Sequence, residues 1–217
     1  MEKIFEAAKN SLLFQGIAPN DFEPMLRCLS ARSVRYERDD VILLAGSPVH
    51  SVGLVLSGSV KIIKEDANGY STILAKLTPA EVFGEVFAFA ELCRSPVTVQ
   101  AAEDTELLLI DCNKIITSCS SACHFHARFI KNMLKLLAEK TLMLNQKIEI
   151  LSKRTTREKL FCLFDQLRGT ATKFTVPFNR EEMATYLCVD RSSLSRELCK
   201  MQDEDLIRFK RNVFEIL

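Results

Sequence analysis

The longest uninterrupted helical pattern in the chain begins after Ala122. No glycine or proline follows until Gly169. Within this stretch one set of positions recurs at alternating steps of four and three: Ile130, Leu134, Leu137, Thr141, Leu144, Ile148 and Leu151. The spacing is a heptad seam of about three repeats, the least that indicates a coiled coil. It predicts a long helix over residues 122–151 that pairs two identical chains. A helix that packs on its own β domain is the alternative.

The region before this helix has the pattern of a β domain. From Ser33 to Ile110, short apolar segments alternate with turn residues, as in a sandwich or barrel of many short strands. Asn68-Gly69 is the clearest hairpin turn, because both residues accept the positive φ of a type I′ turn. A helical pattern from Asn10 to Leu29, with a start signal at Pro19-Asn20, precedes the strands.

The region after the seam carries two helix-start signals. Thr155 followed by Glu158 has the form of a capping box, and it predicts a helix that ends near Gly169. Asn179 followed by Glu182 is a second capped start. The boundary between the long helix and a C-terminal domain is therefore expected near Ser152, giving three regions: 1–121, 122–151 and 152–217.

The second capped start opens a helix-turn-helix pattern. A short helix runs from Asn179 to Tyr186, a turn covers Leu187 to Asp190, and a second helix runs from Arg191 to Met201, with Asp190 as its cap. Hydrogen-bonding side chains occupy the outer N-terminal part of this second helix: Arg191, Ser192, Ser193, Ser195 and Arg196. Such residues at the start of a recognition helix reach base edges in the DNA major groove.

A two-stranded wing is expected after the second helix. Residues 206–217 alternate between apolar and polar side chains about a turn at Arg211-Asn212. Lys210 and Arg211, together with Arg208, suit contacts to phosphate. From Ser152 to Leu217 the chain has 13 Lys and Arg against 10 Asp and Glu, although its net charge is only +1. This asymmetry permits a nucleic-acid surface in the C-terminal third.

Composition excludes several classes of protein. With 217 residues, 47% of them hydrophobic and 26% charged, the chain is globular rather than disordered. No run approaches the roughly 18 apolar residues of a spanning helix, and the first residues lack the apolar stretch of a signal peptide. We therefore expect a cytoplasmic protein without membrane association, whose eight cysteines are thiols.

An enzyme is not indicated. The chain has no Ser-His-Asp order, no phosphate-binding Gly-x-x-x-x-Gly-Lys loop and no His-Glu-x-x-His zinc motif, and it contains only three histidines. Two hypotheses follow. The first is a ligand-responsive DNA-binding regulator. The second is a dimeric ligand-, metal- or redox-sensing protein whose C-terminal domain is an interaction module. Arginines and serines around one helix start favour the first.

The order of these regions resembles the cyclic-AMP-receptor and fumarate-nitrate-reductase regulator (Crp/Fnr) family. Its most specific motifs here are Leu56-Ser-Gly-Ser-Val-Lys, Phe83-Gly-Glu85 and the stretch from Glu182 to Leu198. The resemblance implies an α+β chain with an N-terminal β-roll, a jelly roll like those that bind cyclic nucleotides, then a long dimerisation helix and a C-terminal winged helix-turn-helix. It implies a homodimeric transcription factor that binds a near-palindromic operator in double-stranded DNA and contacts RNA polymerase.

The resemblance also marks two departures in the DNA-binding region. The usual glycine of the turn is Cys188 here, and an acidic residue that the cyclic-AMP branch uses on a base edge is Ser192. We expect the helix-turn-helix geometry to survive the first change. The second prevents the operator sequence from being carried over.

The implied effector pocket departs from the cyclic-AMP pattern as well. Gly84 and Glu85 match the family's Gly-Glu pair, and Arg94-Ser95 resembles its phosphate-binding Arg-Ser pair. However, alignment from Glu85 puts Ser95 at the arginine position. Leu144 and Asn145 stand where that branch has hydroxyls for the purine. The sequence therefore favours a small effector other than cyclic AMP, of unknown identity.

A third sensing chemistry is suggested by a run of cysteines and histidines. Cys112 precedes the weak metal-ligand candidates Cys119, Cys123, His124 and His126. Their spacing matches neither a Cys-x-x-Cys knuckle nor the N-terminal cysteine cluster of the family's iron-sulfur branch. No metal site is predicted, and most of these thiols are expected to be buried small hydrophobes.

Overall fold

The computed structural model describes residues 2–66, 68, 70–90, 94–117 and 124–217, except the side chain of His124. The helices in these ranges are α1 (Glu2–Ala8), α2 (Pro19–Cys28), α3 (Glu85–Phe89), α4 (Cys112–Ile116), α5 (His124–Ser152), α6 (Thr156–Arg168), α7 (Arg180–Leu187) and α8 (Arg191–Asp203). The strands are β1 (Arg32–Tyr36), β2 (Val41–Leu43), β3 (Ser51–Ser57), β4 (Val60–Glu65), β5 (Ser71–Leu77), β6 (Val82–Phe83), β7 (Thr98–Ala101), β8 (Thr105–Asp111), β9 (Lys173–Thr175), β10 (Ile207–Lys210) and β11 (Val213–Ile216).

Two four-stranded antiparallel sheets form the N-terminal roll. One has the order β1-β8-β3-β6 and the other β2-β7-β4-β5. Side chains from both sheets fill the space between them, including Val55, Val99 and Leu107. Strand β3 is buried on both faces, because its alternate residues Val52 and Leu54 belong to a second core.

That second core joins the roll to helices. Phe22 and Met25 of α2 and Phe129 and Met133 of α5 pack with Leu54 and Ile110. Asn132 of α5 donates two hydrogen bonds of 2.9 Å, to the carbonyl oxygens of Leu13 and Gln15. The N-terminal part of α5 is therefore fixed to the roll by both apolar and polar contacts.

The C-terminal region has its own core. Phe164 of α6, Leu187 of α7, Leu198 of α8 and Phe214 of β11 are all buried in it. The small sheet β10-β11-β9 closes one side of this core. Helices packed on a three-stranded sheet with a β10-β11 hairpin form a winged helix-turn-helix.

Contacts divide the chain into two compact units, Met1–Ala138 and Glu139–Leu217. The division falls within α5, which belongs to the first unit at its start and to the second at its end. The regions expected from the sequence, 1–121, 122–151 and 152–217, remain predictions.

The predicted fold class is confirmed, and most elements occur where the sequence indicated them. Both capping boxes form, at Thr155 and at Asn179. The helical pattern from Asn10 gives only a 3₁₀ turn at Leu12–Phe14 before α2 begins at Pro19. Helix α1 was not predicted, and the hairpin residue Gly69 lies outside the described residues. None of the described helices has the length and apolar character needed to cross a membrane.

Gly58, between β3 and β4, occupies a position that no side chain fits. Its φ is +75°, and a Cβ there would lie 2.3 Å from the carbonyl oxygen of Asp104. Gly46 has a similar φ of +83°, but no heavy atom lies within 4 Å of its Cβ position. A side chain at Gly46 would cause backbone strain alone, whereas one at Gly58 would cause the same strain and a steric overlap.

We expect Gly46→Ala to lower the free energy of unfolding by about 1–2 kcal/mol, the cost of a left-handed residue with a Cβ. Gly58→Ala adds about 1–3 kcal/mol of overpacking to the same strain. Chemical denaturation of the two variants measures this difference. Equal losses in the two variants would contradict the close approach at Gly58.

Candidate nucleic-acid interface and sensor site

The turn between α7 and α8 closes without its usual glycine. Cys188 ends α7 in the left-handed conformation, with φ 50° and ψ 56°, and its N–H reaches carbonyl oxygens of the preceding helical turn. The N–H of Val189 donates to the carbonyl oxygen of Ala184 at 3.0 Å. The predicted helix-turn-helix geometry therefore forms, although a cysteine bears a strain that glycine avoids.

Helix α8 presents a polar surface at its N-terminal end. Arg191, Ser192 and Arg196 are exposed, whereas Ser193 and Ser195 are half-buried. The guanidinium of Arg196 folds back along the helix and donates to the carbonyl oxygen of Ser192 at 3.4 Å and to Ser193 Oγ at 3.3 Å. Asp190 stands at the N-cap, but its side chain makes no capping hydrogen bond, so the predicted cap is only positional.

The wing carries the basic residues expected of it. Strands β10 and β11 pair antiparallel and are joined at Arg211-Asn212. Arg208, Lys210 and Arg211 are exposed. A concavity of about 1050 Å³ links the wing to the starts of α7 and α8, and it is lined by Asn179, Arg180, Glu181, Arg191, Lys210, Arg211, Asn212 and Val213. Four of these eight residues are cationic, so the concavity suits an anion such as phosphate.

Arg180 is a member of this concavity that the sequence analysis missed. Its guanidinium lies over the rings of Phe209 and Phe214, 4.9 and 5.1 Å from their centroids, and Nη2 donates to the carbonyl oxygen of Arg211 at 3.1 Å. Burial lowers the pKa of Arg180. Nη1 is buried and has no hydrogen-bond partner among the described residues. The only sequence signal for this role is that Arg180 directly follows the N-cap Asn179, at the start of the helix-turn-helix.

An ionic cluster fixes α8 against α6. Arg157 donates from Nε to Glu197 at 2.5 Å, and from Nη1 and Nη2 to the two carboxylate oxygens of Glu204 at 2.6 and 3.1 Å. These hydrogen bonds lower the pKa of Glu204. Bidentate pairing restricts orientation as well as distance. The cluster therefore holds the middle and the end of α8 while leaving its first turns exposed.

In the first unit (Met1–Ala138), called the sensor unit below, Gly84 and Glu85 begin helix α3. Gly84 has a φ of +83°, and its Cβ position would lie 3.1 Å from the carbonyl oxygen of Ser51. The carboxylate-bearing Glu85 is only 3% exposed. Acidic residues are seldom this deeply buried in folded proteins.

The neighbouring residues Arg94 and Ser95 point in different directions. Arg94 is exposed, and its Nη1 donates to the carbonyl oxygen of Gly46 at 2.7 Å. Ser95 is 2% exposed, and its hydroxyl donates to the carbonyl oxygen of Val97 at 2.6 Å. The inward-facing position is therefore occupied by a short hydroxyl that is already hydrogen-bonded. Leu144 and Asn145, the other two pocket candidates, are exposed residues of the second unit.

The residues of the predicted dimer seam differ in exposure. Ile130 and Leu137 are partly buried against the core of the first unit, and Leu151 is half-buried. Thr141 is exposed. Leu134, Leu144 and Ile148 each expose 63% of their surface. The seam is thus partly covered within the chain at Ile130, Leu137 and Leu151, and it is open at Leu134, Leu144 and Ile148.

Of the metal candidates, Cys119 and Cys123 lie outside the described residues, as does the side chain of His124. His126 is buried, and its Nε2 lies 3.0 Å from the carbonyl oxygen of Ile115. Within the described part of the chain, no group of three His, Cys, Asp or Glu residues is placed to hold a metal ion.

Comparisons with known proteins agree with this arrangement. A model of the cyclic nucleotide-binding domain matches residues 33–121, and a model of the Crp-like helix-turn-helix domain matches residues 158–217. The cyclic AMP receptor protein of Thermus thermophilus is 29% identical over 213 residues, 96% of this chain and 93% of that protein. The CRP-like cAMP-activated global transcriptional regulator of Mycobacterium tuberculosis is 22% identical over 205 residues, 91% of this chain and 88% of that protein.

A solved structure extends the similarity to the fold. The crystal structure of the Thermus thermophilus catabolite activator protein superposes with a TM-score of 0.57 at 25% identity, covering 95% of this chain and 94% of that one. A sensor domain of the cyclic nucleotide-binding type, a long helix and a Crp-like helix-turn-helix define a class of DNA-binding regulators. The chain belongs to the Crp/Fnr family of transcription regulators.

Proposed function

We propose that the chain acts as a homodimeric, effector-responsive transcription factor rather than an enzyme, and that it binds a near-palindromic operator through α8. The observation that carries this proposal is the basic concavity between α7, α8 and the wing. It supports phosphate binding by Lys210 and Arg211 while Arg191, Ser192 and Arg196 face the same DNA. By resemblance to the family, RNA polymerase is a further partner.

The two kinds of basic residue should have different roles on DNA. An arginine in the first turns of a recognition helix can place its guanidinium on the O6 and N7 acceptors of one guanine, and this contact depends on sequence. The serines at positions 192, 193 and 195 suit bases or phosphates. A lysine on the wing meets phosphate, which is the same at every base pair. Arg196 must leave its contacts with Ser192 and Ser193 to reach a base.

We expect Arg196→Ala to cost about 1–3 kcal/mol at one base pair and to relax specificity there. Lys210→Ala should weaken binding to all sequences alike and reduce the salt slope by about 1. Fluorescence anisotropy with operator and random DNA at several salt concentrations measures both effects. Arg168→Ala, which removes a residue paired with Asp165 on α6, is the control.

If neither Arg196→Ala nor Lys210→Ala differed from Arg168→Ala, the interface would be wrongly assigned. That outcome would favour the interaction-module hypothesis.

The open part of the α5 seam supports the dimer. Full burial of a leucine or isoleucine side chain contributes about 1.5–3 kcal/mol. In a two-fold dimer the same residue is buried in both copies, so each seam position contributes once per chain. Leu134, Leu144 and Ile148 are the most exposed apolar members of this seam. A second copy of the same helix covers such a narrow stripe with matching spacing.

We expect the protein to sediment as a dimer at micromolar concentration and Leu144→Lys to shift it to monomer, because the substitution puts a charge into the seam. Leu142 is similarly exposed, at 61%, but it lies on the other side of the helix, so Leu142→Lys should remain dimeric. A wild-type monomer, or equal effects of the two substitutions, would contradict the seam.

The sensor unit supports an effector other than cyclic AMP, although the two relatives are named for that nucleotide. A buried cyclic phosphate needs a cation or several donors, since an unpaired anion away from water costs several kcal/mol. The hydroxyl of Ser95 is bonded to Val97, and Arg94 is turned to Gly46 at the surface. A phosphate bound beside Ser95 would therefore meet no positive charge from Arg94 and no free hydroxyl from Ser95.

Calorimetry with cyclic AMP and cyclic GMP should therefore show no binding tighter than about 1 mM, or about 4 kcal/mol. Arg94→Ala should leave both titrations unchanged, because its guanidinium is directed outward. A micromolar dissociation constant that Arg94→Ala abolishes would restore the cyclic-nucleotide interpretation.

A further inference from the structure

A cysteine and a histidine far apart in the sequence meet at one end of the sensor unit. Cys28 is the last residue of α2, and His126 is the third residue of α5. Cys28 Sγ lies 3.7 Å from Nδ1 of His126. The other ring nitrogen, Nε2, lies 3.0 Å from the carbonyl oxygen of Ile115, near the end of α4. Three helices therefore fix both sides of the imidazole ring.

These contacts determine which nitrogen carries the proton. A carbonyl oxygen can only accept a hydrogen bond, so Nε2 of His126 must hold the hydrogen that Ile115 accepts. In the neutral ring Nδ1 is then an acceptor, and it faces the thiol. The Cys28 S–H donates to Nδ1, and transfer of that proton gives a thiolate beside an imidazolium. This is the arrangement that activates a cysteine for nucleophilic attack.

The two members of the pair differ in exposure. His126 is only 5% exposed, so packing restricts its orientation, whereas Cys28 is half-buried. The net charge of the pair is zero both before and after the proton transfer. Each ion formed therefore has an oppositely charged partner beside it. Cys112 is different, because its burial raises the pKa of the thiol to about 11 and keeps it protonated.

We propose that Cys28, activated by His126, is a site of covalent modification by α,β-unsaturated carbonyl compounds. The sulfur attacks the β-carbon of the acceptor, forming a carbon–sulfur bond while the carbon–carbon π bond breaks. The proton that left Cys28 passes through Nδ1 of His126 to the α-carbon of the adduct. No oxidant, metal or leaving group is needed.

The test uses the full chain and N-ethylmaleimide, a small conjugate acceptor. The protein is treated at neutral pH with less reagent than thiol, and mass spectrometry of its peptides gives the labelling rate of each cysteine. Cys188 and Cys199 are exposed and serve as ordinary thiols in the same sample, and Cys112 serves as a buried one. We expect Cys28 to be labelled before Cys188 and Cys199 although it is less exposed than either. Slower labelling of Cys28 than of both would overturn the proposal.

A variant then tests the role of the imidazole. His126→Gln removes the proton acceptor, and we expect the labelling rate of Cys28 to fall about tenfold while the rates at Cys188 and Cys199 stay unchanged. An unchanged Cys28 rate would mean that exposure alone governs its reactivity, and the proposal would fail. If the variant does not fold, the comparison of thiols within the wild-type protein still decides the matter.

Discussion

The apolar seam of α5 is the constraint on which the proposed assembly of two chains depends. The first turns of α5 bury a neighbouring face of the helix within the chain, through Phe129, Met133 and Leu136. Its later turns leave Leu144 and Ile148 in water, where each forfeits about 1.5–3 kcal/mol of burial energy. In the proposed dimer, a second copy of the helix would cover both residues. Pairing of two chains would give two recognition helices, which is what a palindromic site requires.

The proposed choice of effector depends on the direction of two adjacent side chains in the sensor unit. Arg94 and Ser95 face opposite ways, one exposed and one buried, so a shift of one residue exchanges a guanidinium for a hydroxyl at the inner position. A cation and a neutral hydroxyl select different ligands, because only the cation offsets a buried phosphate. Family membership and fold are therefore compatible with a different effector. The same unit also holds the pair of Cys28 and His126, which the Crp/Fnr resemblance did not indicate.

Local signals in the sequence predicted more of the fold than of the site. The capping boxes at Thr155 and Asn179 and the turn at Arg211-Asn212 each depend on residues within four positions, and all three formed where expected. Contacts between distant residues could not be read in this way. Cys28 and His126 are 98 positions apart, and Arg180 enters the basic concavity only because β10 and β11 fold against α7. A local signal can also mislead. Asp190 is a favourable N-cap residue, but its side chain makes no capping hydrogen bond to α8.

The proposed function requires two copies of α8, held by the pairing of α5, to read one site on DNA. The most direct measurement is selection of binding sites by the full-length protein from a random pool of double-stranded DNA, followed by sequencing. We predict an enriched, near-palindromic sequence whose half-site centres are one helical turn apart, about 34–36 Å, or a multiple of it. Enrichment of a single unpaired half-site, or of no sequence at all, would contradict it.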